Sequence, residues 1–120
     1  MKIIIPVNEE NENTEIAQSF GRAPFYMLYD TETKKTNTIT NPATESPSGA
    51  GIKAAQTIVD SGAKVLLTIR CGKNAHDVLK GADIKVMEAT TGIAKDIIQA
   101  YIDGKLSELD TIHDGHHGAN

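Results

Sequence analysis

The residues best equipped for chemistry lie together in Thr68-Ile69-Arg70-Cys71-Gly72-Lys73-Asn74-Ala75-His76, which contains the only cysteine of the 120-residue chain. A thiol is a soft metal ligand and, once ionised, a nucleophile. Arg70 and Lys73 add positive charge, Gly72 permits a tight turn, and Asn74 is a good helix N-cap. His76 follows about one helical turn after Cys71, where an imidazole either assists the thiol or lies solvated on the helix. His113, His116 and His117 near the C-terminus form a second donor group, able to capture transition metals in a weak and unselective way.

The surrounding pattern says how Cys71 is positioned. Ala63-Lys64-Val65-Leu66-Leu67-Thr68-Ile69 is almost wholly apolar and branched, as a central parallel strand covered on both faces should be. Ala75, Val78 and Leu79 then recur at helical spacing up to Gly81. Cys71 is therefore expected close to a helix N-terminus, whose N–H groups favour anions and lower a thiol's pKa.

The rest of the chain supplies similar units. Ile3-Ile4-Ile5-Pro6-Val7 reads as a first buried strand, followed by a polar segment from Asn8 to Ser19 that is long for a connection and is either mobile or part of a site. Phe25 to Asp30 and Thr36 to Asn41 flank a short polar turn and read as a hairpin whose second strand is polar enough for a sheet edge. Residues 41–51 have loop composition, and Ile52, Ala55, Ile58 and Val59 form one helical face ending at Ser61-Gly62. Ile84 to Met87 is a short strand, Thr90 or Thr91 can cap, and Ile93, Ile97, Ile98, Tyr101 and Ile102 line a last helix closed by Gly104. Strand, hairpin, helix, strand, helix, strand, helix argues an α/β mixed sheet with helices on both faces. One domain over residues 1–110 and a flexible histidine-containing tail over 111–120 are expected.

Composition excludes several function classes. One cysteine rules out an intramolecular disulfide, CxxC redox chemistry and a four-thiolate metal site within one chain. Twelve basic against sixteen acidic residues give a net charge of −4, with the cations scattered along the chain and not gathered in a stripe, so no nucleic-acid partner is expected. The N-terminus lacks a signal-peptide pattern and no run reaches membrane-spanning length, which predicts a cytoplasmic protein without a membrane partner.

Four stretches together resemble the dinitrogenase iron–molybdenum cofactor biosynthesis family, the NifX- and NafY-like proteins. They are Phe20-Gly21-Arg22-Ala23-Pro24-Phe25-Tyr26, Gly49-Ala50-Gly51-Ile52-Lys53-Ala54-Ala55-Gln56, Cys71-Gly72-Lys73-Asn74-Ala75, and Gly92 with Tyr101-Ile102-Asp103-Gly104-Lys105-Leu106. The resemblance implies a three-layer α/β/α ribonuclease-H-like fold with a five-stranded mixed sheet, order 3-2-1-4-5 and strand 2 antiparallel. It also implies a carrier of metal–sulfur clusters, such as iron–molybdenum cofactor precursors or a molybdenum–copper sulfide cluster, working with metallocluster donor and acceptor proteins. The family often has histidine before the Phe-Gly pair, and here that position is Ser19, a poor ligand for soft metals. Its Gly-Pro-Asn turn is Gly72-Lys73-Asn74 here.

In doubly wound sheets ligands collect at the carboxyl ends of the strands. Three segments are expected to converge there, 8–21 with Ser19, 70–74 with Arg70, Cys71, Gly72 and Asn74, and 88–92 with Gly92, while Arg22 either points at the same pocket or pairs with a neighbouring acid. The cations and two helix N-termini suit an anionic cluster, with Cys71 and His76 as candidate metal ligands. Cys71 can also be read as a small packing residue, and Tyr26, Tyr29 and Tyr101 as packing residues with wet hydroxyls. Gly49-Ala50-Gly51-Ile52-Lys53-Ala54 imitates a dinucleotide fingerprint, but no buried strand immediately precedes it, so it reads as a close-packed helix start. A two-metal hydrolase needs several strand-end carboxylates, and only Glu88 stands at such an end. The expected function is non-catalytic carriage of an anionic Mo/Fe or Mo/Cu sulfide cluster by a monomer or weak homodimer. The alternative is a cofactor-free regulatory or interaction module, which requires Cys71 to be buried.

Overall fold

The structure, a computed structural model, describes residues 1–45 and 50–109. The histidines at 113, 116 and 117, and the expected tail, lie outside the described residues.

Five strands form one sheet: β1 (Lys2–Val7), β2 (Phe25–Asp30), β3 (Thr36–Thr40), β4 (Val65–Thr68) and β5 (Lys85–Glu88). Their spatial order is β3-β2-β1-β4-β5, with β1 antiparallel to β2 and parallel to β4. The expected order and the antiparallel second strand are both present. Helices α1 (Ala50–Asp60) and α2 (Lys73–Gly81) cover one face, and α3 (Ala94–Ile102) covers the other.

Alternation along the central strands divides the core between these layers. Ile4 of β1 and Leu66 of β4 pack under α1 and α2 with Ile58 and Leu79. Ile3, Ile5 and Leu67 face α3 with Ile97 and Ile98. The residues named on β1 and β4 are fully buried, each contributing about 1.5–3 kcal/mol by burial. This explains the unbroken apolar runs in the sequence.

The helix starts differ from those expected. α2 begins at Lys73, so its N-cap is Gly72, in extended conformation and without a side-chain cap, while Asn74 lies inside the first turn. The N-cap of α3 is Ile93, not Thr90 or Thr91. Residues 42–45 form a short 3-10 turn within the expected loop. The polar segment after β1 is pinned by isolated bridges, Val7 to Ile16 and Glu15 to Ile93, and buries Thr14, Ile16 and Ala17. No helix among the described residues is long and apolar enough to cross a membrane.

Candidate functional site

β4 ends at Thr68, whose buried hydroxyl donates to the Arg70 carbonyl oxygen at 3.0 Å and fixes the turn into α2. Arg70 and Gly72 are exposed, whereas Cys71 between them turns inward and is only 2% exposed. Its thiol donates weakly to the Gly72 carbonyl oxygen at 3.7 Å. Burial pushes the Cys71 pKa up to about 12. The expectation of a thiol acidified by the helix is thus corrected, and the cause is loss of hydration on burial.

The facing wall is the segment 19–23, held from below by two buried side chains. The Tyr26 hydroxyl donates to the Phe20 carbonyl oxygen at 2.6 Å. Tyr26 is 0% exposed and its burial raises the phenol pKa well above normal, an effect that the neighbouring Asn41 side chain opposes. Its hydroxyl is therefore dry, not wet as the sequence suggested. The Asn41 amide donates to the carbonyl oxygens of Gly21 (3.2 Å) and Ala23 (2.8 Å), and its Oδ1 accepts from the Ala43 N–H at 2.9 Å. Every hydrogen-bonding role here belongs to the folded chain, so Asn41 and Tyr26 position the wall and leave its outer surface to solvent.

Between these walls lies a cleft of about 390 Å³ lined by Ser19, Phe20, Gly21, Arg22, Gly51, Arg70, Cys71 and Gly72. Five predicted site residues meet here: Ser19, Arg22, Arg70, Cys71 and Gly72. Phe20, Gly21 and Gly51 are additions, although the Phe-Gly and Gly-Ala-Gly motifs marked their neighbourhoods. The described lining contains two guanidinium groups and no carboxylate, on a chain of net charge −4. Gly51 and Gly72 also bring the N-terminal ends of α1 and α2 to the cleft, and neither first turn contains an acidic residue. The first intrahelical bond of α2 runs from the His76 N–H to the Gly72 carbonyl oxygen (2.9 Å), so the N–H groups of Lys73, Asn74 and Ala75 precede it. Guanidinium groups and helix N-termini together favour an anion.

The remaining predicted residues are not on its wall. Asn74 is exposed in α2. His76 is half-buried and does not line the cleft. Gly92 lies across the sheet at the start of α3, where its carbonyl oxygen accepts from the Ile16 N–H at 2.9 Å. The three strand-end segments therefore diverge to the two faces of the sheet. Among the described residues no group of three or more His, Cys, Asp or Glu side chains could hold a metal ion. A larger groove of about 540 Å³ on the α3 face is lined by Glu12, Tyr29, Lys34, Lys95 and others, with neither thiol nor imidazole. It lacks the convergence of strand ends and helix starts that marks the smaller cleft.

Comparison with known proteins bears on this geometry. The sequence profile described as dinitrogenase iron–molybdenum cofactor matches residues 1–104. The apo form of the orange protein from Desulfovibrio gigas is 30% identical, with TM-score 0.87 over 91% of this chain and 92% of that one. A Thermotoga protein provisionally assigned as NifB is 29% identical, with TM-score 0.83 over 96% and 98% of the two chains. A Methanocaldococcus jannaschii protein provisionally assigned as a dinitrogenase shares the fold at TM-score 0.68, with 17% identity and coverage of 92% and 96%. Among curated proteins no sequence matches the chain.

Proposed function

The chain belongs to the dinitrogenase iron–molybdenum cofactor family, and from that premise we propose that it is a non-catalytic carrier of an anionic metal–sulfur cluster, docked in the cleft between Arg22 and Arg70. The observation that carries this reading is the cleft's composition: two cations, two helix N-termini and no described carboxylate around one recess. Thiometallate clusters are anionic, and their sulfide shells accept hydrogen bonds from N–H and guanidinium donors. Because Cys71 is buried behind the cleft surface, the cluster is held through these donors without a thiolate bond. Such a site releases its cargo readily, as delivery to an acceptor protein requires.

Anaerobic incubation with tetrathiomolybdate, alone and with copper or iron, followed by desalting and metal analysis, tests the proposal. Near-stoichiometric metal is expected on the wild type, on Cys71→Ser and on a chain shortened after Leu109. Arg70→Glu should weaken retention by about tenfold or more, the scale of one hydrogen bond to a charged group. Loss with Cys71→Ser would mean thiolate ligation, and loss with the shortened chain would move the site to His113, His116 and His117.

One observation favours a second reading, a cofactor-free interaction module: Cys71 is buried, as that reading requires. Failure of every form to retain metal would establish it over the carrier.

A further inference from the structure

The two edges of the sheet are treated differently. The outer side of β5 is covered by the chain itself, since the Glu88 N–H donates to the Ser107 carbonyl oxygen (2.8 Å) and the Leu109 N–H to that of Val86 (2.9 Å). Along the outer side of β3 no described residue pairs.

The register identifies which groups face outward there. Facing residues of β2 and β3 run from Phe25 with Thr40 to Tyr29 with Thr36. The flanking bonds run from the Asn41 N–H to the Pro24 carbonyl oxygen and from the Asp30 N–H to that of Lys35. Bonded and non-bonded pairs alternate in an antiparallel ladder, so Lys35, Asn37, Ile39 and Asn41 bond inward. Thr36, Thr38 and Thr40 direct their N–H and C=O groups to the open edge. None of the usual guards against edge pairing interrupts Thr36-Asn37-Thr38-Ile39-Thr40: it has no charge, proline or bulge.

The geometry points to a second copy of this chain as the occupant, paired antiparallel through β3 about a two-fold axis at Thr38. That axis sets Thr36 opposite the partner's Thr40 and Thr38 opposite the partner's Thr38. Every outward-facing position then meets threonine, a favourable cross-strand pair, and each such pair exchanges two ladder bonds. Charge complements the register. Lys34 and Lys35 precede β3, while the exposed Glu9 and Glu10 directly follow β1 at the sheet end where Val7, Phe25 and Thr40 align. The two-fold axis carries Lys34 and Lys35 of each copy toward the sheet end of the other that bears Glu9 and Glu10. A contact through one short strand falls below the roughly 1,000 Å² of a stable interface, so the dimer is weak and concentration-dependent.

Sedimentation velocity of the full chain from about 10 μM to about 1 mM should show reversible dimerisation with Kd on the order of 100 μM. Thr38 is exposed, so Thr38→Lys and Thr38→Asp should fold normally by circular dichroism. Each alone should raise Kd about tenfold or more by placing like charges on the axis, and an equimolar mixture should recover dimer. Thr38→Pro, which removes an outward N–H, should also abolish association. Arg70→Glu should leave the dimer intact, separating this result from the fate of the cleft. A wild type that stays monomeric throughout, as expected of an edge reserved for a different protein, overturns the proposal. So does a dimer indifferent to the Thr38 variants.

Discussion

The turns after β4 and β5 have the same strand-turn-helix design, yet only the first opens its helix start onto the cleft. After β4, α2 starts without a side-chain cap and without an acid in its first turn, beside exposed Arg70. After β5, the Ala94 N–H at the start of α3 is taken by the Thr14 carbonyl oxygen at 2.9 Å, and Asp96 occupies the first turn. Lys95 is paired with Glu12 at 3.8 Å. The segment between β1 and β2 causes this difference. Its first half seals the α3 junction, and its second half leaves that face to form the far wall of the cleft. A helix N-terminus is thus a binding element only where the rest of the chain has not already used it.

The largest test of this contrast concerns Cys71, which lies at the open junction but behind its surface. Iodoacetamide at pH 8 should alkylate the native thiol more slowly than the urea-unfolded thiol by on the order of a thousandfold, from the difference in thiolate fraction. The same shift has a sign for stability. Above about pH 8.5 the unfolded thiol ionises while the native one keeps its proton until about 12, so stability falls as pH rises through that window. Urea titrations at pH 8 and pH 10.5 should show this loss in the wild type and a smaller one in Cys71→Ala. Fast native alkylation would place the sulfur at the cleft surface and restore it as a ligand.

The supports beneath the two junctions give the next effect. Asn41→Ala removes three hydrogen bonds under the cleft wall and should cost about 3 kcal/mol in urea unfolding. Thr14→Ala, at the sealed junction, loses the acceptor of the Glu9 N–H and should cost about 1 kcal/mol. Equal costs would remove the distinction between a braced wall and a packed loop. The last contrast lies in the glycines. Gly92 has φ +152° and Gly72 has φ −70° with open space around it. Gly92→Ala should therefore destabilise by about 1–3 kcal/mol, while Gly72→Ala, a loss of N-cap preference without backbone strain, should cost about 1 kcal/mol or less. Thermal unfolding of the pair checks this.

Most of the sheet was legible because Ile3 to Val7 and Val65 to Leu67 are apolar without interruption, and the amphipathic helices carry their period clearly. Ser19, Arg22, Arg70, Cys71 and Gly72 could be assembled because they flank strand ends. The direction of the Cys71 shift was read the wrong way from sequence, since burial of one side chain depends on the core that the fold assembles around it. Gly92 was misplaced for a related reason: strand order puts three turns at one end of the sheet, but not on one face. Asn41 was hidden in loop composition, although Asn41-Pro42 was a visible turn signal.

The strap of residues 107–109 over β5 also bears on synthesis. Ser107 follows Glu88 by 19 residues, so at about 5–20 residues per second of translation the strand waits roughly one to four seconds for its cover. During that interval the outer side of β5 is as open as that of β3.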